Sequence, residues 1–530
     1  MKLLATTALG VMLCTSLLTA HPGSSITLEP VGNYRTGIFA DGASEIVAFD
    51  GFTKRLFSVN AHARSVDVIN LLNPSRPQLL FSIDLTPYGK SANSVAVSNG
   101  LLAVAVENEN KQAPGRLLLF LTWGNCRLIK NLEVGALPDM VTFTPNGQYA
   151  LVANEGEPDD AYSNDPEGSV SIIDLRRGPF AATVATAGFT SFNDRKDELL
   201  ASGVRVFGPD ATVAQDFEPE YIAISHDSRT AWVTLQENNA LAEIAIREAT
   251  VRNIIPLGYK NHLDPANKLD ASDKDDQIYL NTWPVKGMYL PDAIASFTVF
   301  GRNYLITANE GDSRDYNGYS EEARVKDLKL DPMVFPHADN LRKNDNLGRL
   351  KVTTSLGDID NDGDFDRLYC FGGRSFSILD ANGSLIYESG SQLEEITAEY
   401  YPDDFNANND ENESFDGRSD DKGPEPEGVT IGKVFGSTYA FIGLERIGGI
   451  MIFDVSNPFA PSFVDYVNTR DFSGDPEADG AGDLAPEGII FVPAIFSPTF
   501  KPLVIASYEV SGSITVFEVV PQCRWGWRWR

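Results

Sequence analysis

Residues 138–175 read PDMVTFTPNGQYALVANEGEPDDAYSNDPEGSVSIIDL. Three short apolar runs lie in this stretch: one from Asp139 to Phe143 behind Pro138, one ending at Asn154 and Glu155, and GSVSIIDL at 168–175. Each alternates apolar with small or polar residues, the period of a strand with one buried face, and turn-forming residues separate them. Self-similarity is the first thing to test in such a chain. The opening run, a small or proline residue, then an acid or amide, then alternating apolar residues, recurs seven times, at Glu45, Asn93, Asp139, Glu220, Asp292, Glu427 and Glu487. Prolines at 138, 219, 291, 426 and 486 introduce five of the copies.

A second run follows each copy and ends polar or acidic, at Asn60, Glu107, Glu155, Glu237, Glu310, Glu445 and Glu509. The third run recurs as RSVDVINL (64–71), GRLLLF (115–120), NALAEIAI (239–246), RSFSILD (374–380), GGIMIFDV (448–455) and GSITVFEV (512–519). Seven copies of three strands, each with room for a fourth, predict an all-β seven-bladed β-propeller over residues 25–519 rather than an array of two-sheet sandwiches. The last copy stops at its third strand, while SITLEPVGNY at 25–34 stands unassigned before the first. The N-terminal strand is therefore expected to complete the last blade and close the ring, which removes exposed sheet edges.

The chain has 530 residues and 42% hydrophobic content, enough for a large core. Residues 1–20, MKLLATTALGVMLCTSLLTA, read as a secretory signal: one lysine, a short apolar run and small residues at its end, too short to span a membrane. No transmembrane segment is expected. Export leaves Cys126, Cys370 and Cys523, so at most one disulfide can form within the chain, and no Cys/His spacing indicates zinc. Residues 520–530 are expected to be an unstructured tail. The formal net charge of −31 repels nucleic acid and anionic membranes and attracts cations.

In an antiparallel meander the start of the first strand and the end of the second share one end of the sheet. Glu45, Asp139, Glu220, Asp292, Glu427 and Glu487 are thus expected to ring the mouth of the central channel, with the second-run acids close by. A carboxylate before a strand also caps backbone amides, but six converging on one axis would repel each other unless a cation sat among them. Long segments at about 176–216, 258–290, 311–373, 381–425 and 471–485 are expected as acidic loop insertions on that same face, where a rigid scaffold usually carries its function.

One insertion contains DIDNDGDFD at 358–366. Calcium takes six to eight hard oxygen ligands, which alternate side chains on a tight loop supply, and a glycine permits the turn. Asp358, Asp360, Asp362, Gly363, Asp364 and Asp366 match positions 1, 3, 5, 6, 7 and 9 of a DxDxDG loop. Position 12 is Tyr369, not the bidentate Glu of an EF-hand, so a calcium loop outside an EF-hand pair is expected.

The runs VANEGEPDDAYSNDPEGSVSIIDL, LDASDKDDQIYLNTWPVKGMYLPDAIA, ITANEGDSRDY, DIDNDGDFDRLY and GPEPEGV resemble the choice-of-anchor I family of secreted proteins. Its bacterial members often carry an alkaline phosphatase label, and it is related to mesenchyme-specific cell-surface glycoproteins linked to biomineralisation. The resemblance implies a secreted or cell-surface module, with mineral or extracellular partners. The family's surface anchor has no counterpart in the closing VPQCRWGWRWR, which implies a soluble secreted form or a chain end altered by its gene model. The phosphatase label would imply a second metal beside calcium and a carboxylate-held cluster acting on phosphate esters. Candidates for it are Glu155, Glu220, Glu310, Asp312 and Glu427, with Arg205, Arg314, Arg374 and Arg446 as phosphate clamps or structural ion pairs.

Overall fold

The computed structural model describes residues 25–478 and 480–522. The signal-like segment 1–20 and almost all of the tail, with Cys523, lie outside them. The described residues hold seven four-stranded antiparallel sheets, and each contains one of the seven copies. The third copy, for example, supplies Pro138–Phe143, Tyr149–Asn154, Ser169–Asp174 and a fourth strand, Thr183–Gly188. The first strand of each sheet lies against the first strand of the next, and that of the seventh, Pro486–Val492, lies against that of the first, Val47–Asp50. The sheets are therefore the blades of a β-propeller around one channel.

The closing sheet is built as the sequence implied. Ile26–Arg35 pairs antiparallel with the last strand, Ser513–Pro521, from Ile26 opposite Pro521 to Arg35 opposite Ser513. The middle strands are buried on both faces because each sheet is covered by two neighbours; Tyr149–Asn154 and Leu503–Tyr508 have no exposed residue. Apolar clusters accordingly join adjacent sheets, as where Val152 packs with Leu119 and Val104 with Val66. Cys126 and Cys370 are buried free thiols.

Two insertions fold together into a structure the repeat does not announce. Tyr259–Asn261, Lys286–Met288, Tyr369–Cys370, Lys351–Thr353 and Glu322–Arg324 form a five-stranded sheet with one parallel pair. It has its own core of Leu269, Trp283, Val325, Leu350, Val352 and Leu368. The longer insertion leaves and rejoins its blade through a pinch at Gly311 and Gly372. A Cβ on Gly311 would meet the Gly372 nitrogen at 2.1 Å, and Gly311 has φ 111°, so only glycine serves there. Two of the other long segments, 176–216 and 381–425, are not wholly insertions on the acidic face. Thr183–Gly188 and Leu385–Glu388 are fourth strands inside 176–216 and 381–425, so the short turns 175–182 and 381–384 lie at the end of the molecule opposite the acids.

Candidate functional site

The recurrent proline-acid pair has a structural reason. After Pro138, Pro219, Pro426 and Pro486 the ladder slips, and pairing resumes only at Val141, Ile222, Val429 and Ile489. Proline is tolerated because it opens the strand, and a bulge re-aims the side chains it leaves unpaired. The acid, Asp139, Glu220, Glu427 or Glu487, sits in that bulge. Leu137, Leu290, Glu425 and Ala485, each just before a proline, adopt φ of 45°, 42°, 49° and 60°. Left-handed backbone at such residues is strained, and strain of this kind concentrates at functional sites.

The second-run acids are pinned beside the first. Backbone N–H groups of Glu155, Glu445 and Glu509 donate to the carbonyls of Leu137, Glu425 and Ala485 at 2.8–2.9 Å. These three inner hairpins thus each present two carboxylates together. They line a funnel of about 310 Å³ whose wall comprises Asp139, Glu155, Glu220, Gln236, Asp292, Glu310, Asp312, Glu427, Glu445, Glu487 and Glu509, with Lys422 and Arg446 as its only cations among the described residues. All five residues proposed from the sequence for phosphate chemistry are on this wall. Of the six expected in the channel ring, five are on it. Glu45 is outside the lining, though Glu509, Asp139 and Glu107 act on its charge. Beyond the funnel lies a space of about 440 Å³ walled by residues such as Ile46, Val95, Met140, Ser296, Thr430 and Phe491.

Burial and mutual repulsion hold these acids far from their ordinary titration. Burial first, then the charges of neighbouring carboxylates, raise Glu155, Glu220, Asp292, Glu427 and Glu487 well above the usual range. Burial raises Asp139 to about 6 against the pull of Lys111. Glu45 is pushed up to about 8, by burial and then by Glu509, Asp139 and Glu107. Glu220 is 8% exposed, and its Oε2 is buried without a hydrogen-bond partner. An unpartnered buried carboxylate is costly, so the wall as built wants positive charge.

Three of its carboxylates, Glu310, Glu427 and Glu445, each bring an oxygen within 4.8 Å of the others. Calcium–oxygen distances of about 2.4 Å allow opposite ligands to lie about 4.8 Å apart, so one ion can take all three. The donor set is all oxygen, which suits hard divalent cations. Neighbours fix it: Gln236 Nε2 donates to Glu310 Oε2 at 2.8 Å and Asn409 Nδ2 to Glu445 Oε1 at 2.9 Å. Lys422 Nζ binds Glu310 Oε1, and lies 3.3 Å from Glu425 and 3.4 Å from Asp312. Arg446 Nε reaches Glu425 at 2.9 Å and Arg418 NH2 reaches it at 2.6 Å. Burial opposes charge on Glu425, yet these three cations hold its carboxyl below the ordinary range.

Lys422 and Glu425 are what the sequence reading missed. Their position in KGPEPEG, directly before a first-strand acid, was the available signal. Arg205, Arg314 and Arg374 prove to be structural: Arg205 pairs with buried Glu321, Arg314 with Asp216 at 2.7 Å and Glu218 at 3.0 Å, and Arg374 with Glu394 at 2.9 Å. Of the four arginines only Arg446 lines the funnel.

The DxDxDG loop lies in the longer insertion. Asp358, Asp360 and Asp366 bring oxygens within 4.8 Å of one another, and Asp364 and Asp366 do so with Asp331. The loop curls on its own amides: Gly363 N–H donates to Asp358 Oδ2 at 3.1 Å and Ile359 N–H to Asp366 Oδ2 at 2.8 Å. Gly363 has φ 89°, the turn conformation expected of it. Asp358 Oδ1 is buried and unpartnered. Asp362 joins neither group; its Oδ1 accepts the Asp364 N–H at 3.0 Å. Asp331 comes from outside the motif, brought in by a bridge between Leu330 and Phe365.

The sequence profile of the choice-of-anchor I domain matches residues 45–458. Gigasin-3a of Magallana gigas is 34% identical over 184 residues, 33% of this chain and 64% of that protein. The mesenchyme-specific cell surface glycoprotein of Strongylocentrotus purpuratus is 28% identical over 286 residues, 46% of this chain and 36% of that one. The matches therefore span less than two-thirds of either relative. Among solved structures, Kuenenia stuttgartiensis hydrazine synthase aligns with TM-score 0.46 and 12% identity over 92% of this chain and 100% of its own. The Myceliophteria thermophila Cps50 (Swd1) β-propeller domain gives 0.43 and 10% over 93% and 100%. Likenesses this remote add nothing to the reading of the funnel.

Proposed function

Because the chain belongs to the choice-of-anchor I domain family, we propose that it is a secreted or cell-surface β-propeller module that binds divalent cations, calcium foremost. Export is supported by the signal-like segment 1–20 and by the surface location in the name of the Strongylocentrotus relative. The observation that carries cation binding is the funnel wall: ten carboxylates face two cations there, with Glu310, Glu427 and Glu445 close enough to share an ion. The DxDxDG loop would hold a second, separate calcium that braces the insertion. A metal-dependent phosphomonoesterase is the second reading, favoured by Lys422 and Arg446 on the same wall, where they would face the oxygens of a metal-bound phosphate.

The test is calorimetric titration of chelator-stripped protein with calcium, alongside turnover of a chromogenic phosphate ester. Two classes of site are expected. The double change Glu310→Gln and Glu427→Gln should remove one class; Asp358→Asn with Asp360→Asn should remove the other. Absence of binding, or titrations indistinguishable from wild type in both variants, would sink the proposal. Metal-restored turnover lost with Glu427→Gln would promote the second reading.

A further inference from the structure

The charge of this protein is unevenly distributed between its two ends. In each propeller sheet the turn between the first and second strands and the turn between the third and fourth emerge opposite the funnel. These thirteen turns, which run from 51–54 in the first sheet to 493–502 in the seventh, contain eight Lys or Arg and two Asp or Glu. The basic residues include Lys54, Arg76, Arg127, Arg176, Arg177 and Lys501. Acids at the adjoining strand ends are engaged with their own turns: Asp50 accepts the Phe52 N–H at 3.0 Å, Asp174 the Arg176 N–H at 2.9 Å and Asp454 the Ser456 N–H at 2.8 Å. A chain of net charge −31 thus has one face whose turns are positive.

The same turns display large apolar side chains. Phe300 is 100% exposed, Phe52 91% and Phe500 80%, and Trp123, Phe180 and Phe435 are each more than half exposed. A soluble surface rarely keeps so many in one region without a partner. They are spread over turns around the ring, with Ile495 and Phe496 exposed beside Phe500 on the 493–502 turn, where Phe496 lines the channel space next to Gly51. Apolar tips spread around a ring and interleaved with Lys and Arg suit a partner that deforms around each tip and carries negative charge. The funnel's repulsion does not reach this face. Inner strands of six residues separate the two ends by about 20 Å, more than two Debye lengths of about 8 Å at physiological salt.

We propose that the face opposite the funnel docks on the surface of an anionic lipid bilayer, with Phe52, Phe300 and Phe500 entering the headgroup region and the basic turns contacting lipid phosphates. The acidic funnel then faces away from the membrane. Net charge alone argues for the opposite behaviour, and the segregation of charge between the two ends reverses it.

Sedimentation with vesicles decides the matter, in chelator so that calcium cannot bridge acids to lipid. Vesicles of phosphatidylcholine containing about one-third phosphatidylglycerol should carry the protein down at about 0.15 M NaCl, and binding should fall at least about tenfold in 0.5 M NaCl. Vesicles of phosphatidylcholine alone should carry down little. The triple change Phe52→Ser, Phe300→Ser and Phe500→Ser, and the pair Arg127→Glu with Arg177→Glu, should each lose about tenfold while leaving thermal melting unchanged, since these side chains are exposed. Equal binding to both lipids, no binding to either, or full binding by the variants would overturn the proposal. So would a dimer in sedimentation velocity that the triple change dissolves without vesicle binding, which would assign the face to a second copy of the chain.

Discussion

Replacing Glu45 with glutamine should make the calcium-free protein more stable. Burial, and then the charges of Glu509, Asp139 and Glu107, push this carboxyl up to about 8 from an ordinary 4.5. At pH 7.5 the folded chain retains a proton that the unfolded chain releases, a linkage of about 4 kcal/mol if nothing relaxes. Glu45 is only partly buried by surface area, so solvent and side-chain motion reduce that to about 2 kcal/mol. The sign follows from the raised value: the fold is fully stable with respect to this group below pH 4.5 and loses stability as pH climbs toward about 8. Glutamine has the same shape and no charge, so the variant escapes the loss. With unfolding entropy near 2.1 cal/mol/K per residue, 2 kcal/mol raises the melting temperature of a chain this size by about 2 °C, and urea titration reads the free energy directly. The gain should appear at pH 7.5 in chelator and vanish at pH 4. A variant no more stable than wild type at pH 7.5, or one that gains equally at pH 4, would refute the reasoning.

Other changes test other parts of the molecule. Arg314→Met strands Asp216 and Glu218 in the interior and should cost about 3–5 kcal/mol in urea unfolding; a loss below about 1 kcal/mol would mean the pair does not brace the fold. Asp358→Asn with Asp360→Asn should abolish calcium-dependent protection from hydrogen exchange in the insertion around Leu328–Leu350, and leave the melting temperature in chelator unchanged. Leu28→Ala, on the closing strand and 3% exposed, should cost about 2–4 kcal/mol. Leu79→Ala, at 45% exposure on an outer strand, should stay within about 0.5 kcal/mol.

The repeat was legible because a blade's inner hairpin obeys strict local rules. Proline followed by an acid marks a bulge at the start of the first strand, and alternation carries the ladder from there. Meander geometry then forces Asp139 and Glu155, or Glu427 and Glu445, to one end, so the funnel's acids followed from spacing alone. The five-stranded sheet was not legible. Its strands are two or three residues long, and Lys286–Met288 pairs in parallel with Tyr369–Cys370 across some 80 residues, too short and too distant for periodicity to register. Asp331 escaped for a similar reason, since only the bridge from Leu330 to Phe365 brings it to the loop. Lys422 and Glu425 sit among acids in a loop with no period, and their role exists only once Glu310, Arg418 and Arg446 converge on them.

The closing sheet sets a clock on the molecule's maturation. Ser25 bonds Gln522 across 497 residues, so the first strand to leave a ribosome waits for the last before it has a partner. At 5–20 residues per second that wait is about 25–100 s. During it Ile26–Arg35 offers an unpaired edge, and the first and seventh sheets each lack a neighbour. The ring therefore cannot close before Ser513–Pro521 has been made. Until then the chain is at its most vulnerable to edge-to-edge aggregation; a ribosome-bound chain arrested before Ser513 should be protease-sensitive throughout, and one released after Pro521 resistant.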